Sequence, residues 1–186
     1  VTKYSYGIIN PIGNINYFNR EIKNLGLNCK AIHKFIPKDY LLSSVQDRIE
    51  LLKALMDSDG CISKNGFISY TTSSPQLKNN FLELCRSLGI KCSSKETNLY
   101  LRKNTFNKVQ SWQISLSPNF EIFKLKRKLE RQRLKKKSNS NVYLKNIKSL
   151  GYVEECSCFT VDNDEHLYLT TDFIPTHNSF KMGAIS

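Results

Sequence analysis

Two stretches of this chain repeat one another at a fixed offset, and that constrains its fold more than any other feature. "FNREIKNLGLNC" (Phe18 to Cys29) and "FLELCRSLGIKC" (Phe81 to Cys92) share Phe, Leu, Gly and Cys at matching places, all 63 residues apart. Each has apolar residues at helical spacing and then Leu-Gly-Leu or Leu-Gly-Ile, where Gly suits a helix C-cap. The segments just before them, "TKYSYGIIN" and "GFISYTTSS", are rich in strand-forming residues. The pattern predicts two copies of a strand-then-helix unit. Between the copies, Arg48 to Met56 predicts a helix with Ile49, Leu52, Leu55 and Met56 on one apolar face. It runs into Asp57-Ser58-Asp59-Gly60. Acids at a helix C-terminus oppose the macrodipole, which favours cations there. A nearby cation would relieve that cost, and carboxylates are hard oxygen ligands suited to Mg²⁺. The same four residues would also make an ordinary Asp-rich turn closed by Gly60.

With 186 residues the chain is long enough for one large domain or two small ones. Its 28 Lys+Arg against 16 Asp+Glu give a net charge of +12, which points to a polyanionic partner, nucleic acid before membrane. No apolar run approaches the roughly 20 residues of a membrane span, and no signal peptide opens the chain. The six cysteines (29, 61, 85, 92, 156 and 158) form no CxxC pair and fit no zinc spacing. Most are expected to be reduced, buried, small apolar residues of a cytoplasmic protein, with Cys158 the exception.

"LKALMDSDG" (Leu52 to Gly60) resembles the motif of LAGLIDADG homing endonucleases: Leu52, Leu55, Asp57, Asp59 and Gly60 match, while Lys53, Ala54, Met56 and Ser58 vary. "KFIPKDYLL" (Lys34 to Leu42) is similar to the Lys-x-Ile-Pro segment that precedes the second such motif in intein endonucleases. The resemblance implies an α+β fold of two αββαββα repeats, with motif helices paired at a pseudo-twofold axis. It implies cleavage of double-stranded DNA with Mg²⁺, held by Asp59 with the adjoining Gly60, while Asp57 caps and positions the turn. By the 63-residue offset, the first copy's equivalent of Asp59 falls at 59 − 63 = −4, so the first motif helix is expected upstream of Val1.

"FEIFKLKRKLERQRLKKKSNS" predicts a dense basic helix from 124 to 137. A run of one sign suits phosphate contact, through Lys124, Arg127, Lys128, Arg131, Arg133 and Lys135, although a solvated charged face has the same composition. "FKLKRK" also resembles the family segment carrying a catalytic lysine. That match falls on Lys126, with Lys124 and Lys128 as competitors, and the lysine's implied task is to hold or polarise the attacking water.

Beyond the Ser-Asn break at 138–141 the sequence reads as short strands at 152–153, 158–161, 166–170 and 173–174, with a turn at 162–165. Thr160-Val161, His166-Leu167-Tyr168 and His177-Asn178-Ser179 together resemble the C-terminal splicing region of inteins, part of the all-β Hint fold. That implies cyclisation of Asn178, which cuts the bond to Ser179. His177 and His166 would move protons, and the Ser179 hydroxyl would accept the acyl group. Cys158 stands two residues before Thr160-Val161, where the family most often has Asp. With Thr176 before His177, it fits a minority class that uses this Cys as first nucleophile; the other reading is that it tunes Asn cyclisation.

The expected organisation is an endonuclease domain over 1–140, a splicing region over 141–178 and the start of the host protein (the C-extein) over 179–186. Partners are double-stranded DNA, the flanking exteins and an upstream intein portion, with no membrane. A Gly-Lys before "SFKMGAIS" would create a phosphate-binding loop, which suggests a P-loop ATPase as host. Two alternatives remain: a free-standing LAGLIDADG endonuclease or maturase, and a DNA-binding remnant without catalysis.

Overall fold

A computed structural model describes residues 17–100, 108–134, 146, 148–149, 151–152 and 161–177. The elements run α1 (Tyr17–Asn24), a 3-10 turn (Ala31–His33), α2 (Lys38–Leu41), α3 (Val45–Ser58), β1 (Cys61–Ile62), β2 (Ile68–Thr72), α4 (Pro75–Ser87), β3 (Lys91–Tyr100), β4 (Lys108–Ser117), α5 (Lys126–Leu129), β5 (Leu167–Leu169) and β6 (Pro175–His177). β1 to β4 form one antiparallel sheet in the order β1-β2-β4-β3, and β5-β6 is a separate hairpin.

The repeat is real at the level of hydrogen bonds. After α4, Gly89 N–H donates to Arg86 O and Ile90 N–H to Cys85 O, both at 2.9 Å. After α1, Gly26 N–H donates to Lys23 O and Leu27 N–H to Ile22 O, also at 2.9 Å, and every atom pair is offset by 63. Both are Schellman C-caps, and both glycines are left-handed, at φ 70° and 69°. Burial does not repeat: Phe81 is fully buried, whereas Phe18 is 51% exposed. The strand expected before α1 lies outside the described residues.

Starts and stops follow local chemistry. The Ser44 hydroxyl accepts from Asp47 N–H and opens α3; the Ser74 hydroxyl accepts from Leu77 N–H and opens α4, with Pro75 at the first helical position. Ser74 also donates to Lys34 O at 2.6 Å, Lys34 Nζ donates to Leu27 O at 2.6 Å, and Ile36 N–H bonds Asn80 at 3.2 Å. The Lys-x-Ile-Pro segment is thus a strap that ties the first copy to α4. One core holds α3, α4 and the sheet together, with Leu52, Met56, Phe81, Leu84, Ile90, Ile114 and Ile122 each 2% exposed or less. Tyr70 stacks on Phe81 with ring centroids 4.2 Å apart.

Three expectations need correction. The basic run is not a helix from 124 to 137: among the described residues only Lys126–Leu129 is helical. Its residues instead serve tertiary contacts, as Lys128 shows below. The strand expected at 173–174 is a turn, with Phe173 left-handed at φ 58°, and pairing resumes at Pro175. Cys61 is exposed, not a buried apolar residue. Strand β3, one of the second strand pair that the resemblance implies, has no local signal in the sequence, because "KCSSKETNLY" is largely polar on both faces, as an edge strand can be.

Candidate nuclease centre and DNA-facing sheet

Helix α3 delivers the motif acids. Gly60 follows Asp59 at the close of the helix, and a Cβ there would lie 2.5 Å from Met56 O, so only glycine fits the turn. The Asp57 carboxylate accepts from the backbone N–H of Lys124 and Leu125 at 3.0–3.3 Å. It therefore fastens the segment leading into α5, a positioning role, although not of its own turn. Asp59 is exposed at the C-cap of α3, with its backbone N–H on Leu55 O. Behind it, burial and the Asp59 charge push the Tyr70 hydroxyl up to about 12.

The three candidate lysines separate clearly. Lys128 is 6% exposed, and its Nζ donates to Met56 O and Asp57 O at 2.8 Å and to Gly60 O at 2.6 Å. It is a cation set into the C-terminus of the motif helix, where the macrodipole favours one. Burial, and then Arg127, pull its ammonium below the usual lysine range, while Asp57, Cys61 and Asp59 pull the other way. Lys124 is paired with Glu50 of α3. Its hydrogen bond, joined by Lys53, holds the Glu50 carboxyl below the usual range against partial desolvation. Lys126 is exposed and makes no ion pair among the described residues. The lysine that reaches the motif turn is Lys128, not Lys126.

The acids that oppose the macrodipole already have a cation, the Lys128 ammonium. The Gly60 carbonyl accepts from Lys128, which uses one of its two lone pairs. Asp59 remains as an outward carboxylate suited to a hard divalent ion, but no group of three or more metal-binding side chains occurs among the described residues. A single acid supplies only part of the ligand set that a hard divalent cation needs. Lys128→Met should cost about 2–4 kcal/mol, from the loss of three charge-assisted bonds to carbonyls that are partly rewetted. Lys128→Arg should recover little, since a planar guanidinium cannot converge on three carbonyls as an ammonium does. Urea unfolding measures both; wild-type stability of Lys128→Met would mean the contact is incidental.

The sheet has one apolar and one polar face. Cross-strand register aligns Cys61, Ser69, Ser115 and Ser93 in one row and Thr71, Gln113 and Lys95 in the next, with Ser117 opposite Lys91. Arg131 and Arg133 lie beside the β1–β2 turn, 3.6 Å from where a Gly66 side chain would begin. Arg127, Arg131 and Arg133 are exposed. Lys128, by contrast, cannot serve as a phosphate contact, and Lys135 lies outside the described residues. The hydroxyl- and amide-bearing rows were missed in the sequence because β3 has no local signal there.

In the C-terminal hairpin, Leu167 pairs with His177, Tyr168 with Thr176 and Leu169 with Pro175. His166 and His177 thereby reach the same end of the ladder. His166 is left-handed at φ 51°, and its Nδ1 lies 3.1 Å from Val161 O, so Nδ1–H donates and Nε2 is left to exchange protons. Its backbone N–H closes the expected turn on Asn163 O. The Thr176 hydroxyl donates to Ile174 O at 3.3 Å. Cys158, Asn178 and Ser179 lie outside the described residues.

A motif helix ending in two acids, followed by an antiparallel sheet with a polar face, defines a LAGLIDADG-type unit, and the chain belongs to the LAGLIDADG-like domain family, which matches residues 47–154. The family implies a DNA endonuclease acting on double-stranded DNA. The chain is also similar to the replicative DNA helicase DnaB of Mycobacterium intracellulare, 30% identical over 151 residues, which is 79% of this chain but 26% of that protein. The chain thus spans about a quarter of the length of that relative. No helix among the described residues is long and apolar enough to cross a membrane.

Proposed function

We propose that the chain is the C-terminal part of a bifunctional intein, in which a LAGLIDADG homing endonuclease sits within a protein-splicing element. The observation that carries the nuclease half is the motif turn, where Asp59 faces out and Lys128 secures the helix end behind it. Bound at Asp59, Mg²⁺ would act as a Lewis acid on the scissile phosphate and lower the pKa of the attacking water. Asp59 holds and orients that ion. Lys128 fixes the turn and keeps a positive charge behind the developing negative charge, so it acts as a positioning residue. Asp57 keeps the segment carrying Lys124 to Lys128 in register with α3. The second acid belongs to the upstream motif helix implied by the 63-residue offset.

Similarity to a helicase is what an insert interrupting a helicase chain would give, so a host of that class, in keeping with the P-loop ATPase expectation, is part of this reading. The decisive experiment expresses the full-length parent and incubates it with Mg²⁺ and a plasmid carrying the host reading frame with the insert removed. A double-strand cut at the insertion point is expected; binding without cleavage would favour the inactive-remnant alternative. Endonuclease without any splicing would favour the free-standing enzyme.

DNA binding should be strongly salt-dependent. With Lys124 and Lys128 engaged, β3 and the segment from Lys126 to Arg133 still expose six basic residues: Lys91, Lys95, Lys126, Arg127, Arg131 and Arg133. Six phosphate contacts give a log–log slope of about −5, so affinity should fall roughly 10³-fold between 50 and 200 mM salt. Fluorescence anisotropy measures it, and a slope near zero would make the basic run a solvated face.

A further inference from the structure

Cys85 and Cys92 are brought together by the turn that ends α4. Ile90 N–H returns to Cys85 O at 2.9 Å, and the chain then enters β3 with Cys92 on the face that packs against the helix. Cys85 is fully buried, and Cys92 is half-buried with its Sγ 3.9 Å from Leu82 O. Cys92 packs against the core cluster that holds Cys85. Contact with the Cys85 thiol holds the Cys92 thiol below the usual cysteine range, with burial opposing and Arg86 adding to it; contact with Cys92, then burial, pushes Cys85 up. Cys92 keeps an opening to solvent, and Cys85 lies fully buried beneath it. The first copy has no such pair: Cys29 matches Cys92 at the 63-residue offset, but Ile22 stands where Cys85 does.

We propose that Cys92 and Cys85 form a thiol–disulfide site, with the Cys92 sulfur attacking hydrogen peroxide and Cys85 resolving the product. The Cys92 thiolate takes an oxygen from peroxide and hydroxide leaves, giving a sulfenic acid. The Cys85 sulfur then displaces that oxygen as water, so two thiols and one peroxide become one disulfide and two waters. The reaction has a structural consequence. Arg86 also pairs with Asp172 of the C-terminal hairpin, across a cleft of about 500 Å³ lined by Leu82, Glu83, Leu169 and Phe173 among others. Closing the disulfide fixes the end of α4 to β3, next to Arg86, at the seam where the hairpin meets the helix.

The test oxidises the folded chain with hydrogen peroxide, blocks remaining thiols with iodoacetamide and digests with trypsin. Cleavage after Lys78, Arg86, Lys91 and Lys95 puts Cys85 in peptide 79–86 and Cys92 in peptide 92–95. Mass spectrometry should find these two joined, and dithiothreitol should separate them. In Cys85→Ser the Cys92 sulfenic acid should accumulate and be trapped by dimedone; in Cys92→Ser the joined species should vanish with Cys85 still a thiol. Should Cys85→Ser fail to fold, the wild-type joined peptides decide alone. Recovery of Cys92 alkylated to the same extent as Cys29, with no 79–86/92–95 species, would overturn the proposal.

Discussion

Asp59→Asn should lower Mg²⁺-dependent DNA cleavage by roughly 10²–10⁴-fold, the loss expected when several kcal/mol of metal-derived stabilisation are removed from the transition state. Asn keeps the shape of the side chain but offers a neutral oxygen to a hard cation. DNA affinity should change by no more than about threefold, because Asp59 is exposed at the helix end and surface changes away from packed or bonded features stay within roughly 0.5 kcal/mol. Single-turnover cleavage and anisotropy on the full-length parent separate the two effects. Unchanged cleavage would remove Asp59 from the chemistry. A parallel loss of binding and of stability would point instead to a structural role like that of Asp57, whose carboxylate holds two backbone N–H groups.

Much of this architecture is legible in the sequence, for reasons visible at individual residues. The repeat could be found because Gly26 and Gly89 each occupy a left-handed cap that few other residues tolerate. The motif helix could be found because Leu52 and Met56 sit one turn apart on the buried face. The Gly60 requirement follows from a backbone approach of 2.5 Å, which allows no side chain. What failed were features set by tertiary contact. A lysine among lysines carries no local sign that it will turn inward, so composition put Lys128 on DNA while the fold puts it on three carbonyls of α3. The helix expected at 124–137 failed for a related reason. Asp57, some 67 residues earlier, captures the N–H groups of Lys124 and Leu125 and sets where the helical turn begins. Strand β3 pairs with β4 over ten residues from Lys91 to Tyr100, and the partner strand rather than its own pattern makes it a strand.

Asn178→Ala should abolish release of the segment that begins at Ser179, and with it the joining of the flanking host segments. In the proposed reaction the side-chain amide nitrogen of Asn178 is the nucleophile that closes on its own carbonyl, and alanine has no such atom, so the loss should be complete and not graded. His177 is expected to share a proton with the departing amine, and His166 is proposed to support it. The ladder that pairs Leu167 with His177 brings both to one end, and the Nδ1–H bond to Val161 O fixes the His166 ring with Nε2 available. His177→Ala should therefore slow the step without stopping it, because His166 retains part of the proton transfer. Both variants need the upstream intein portion supplied, in cis or as a separate fragment, with mass spectrometry reading the released and joined species. Cleavage at the upstream junction should survive in Asn178→Ala if that junction reacts first. Host segments joined at the normal rate by Asn178→Ala would mean that His177-Asn178-Ser179 is only a turn, and the splicing half of the proposal would fall while the nuclease half stood.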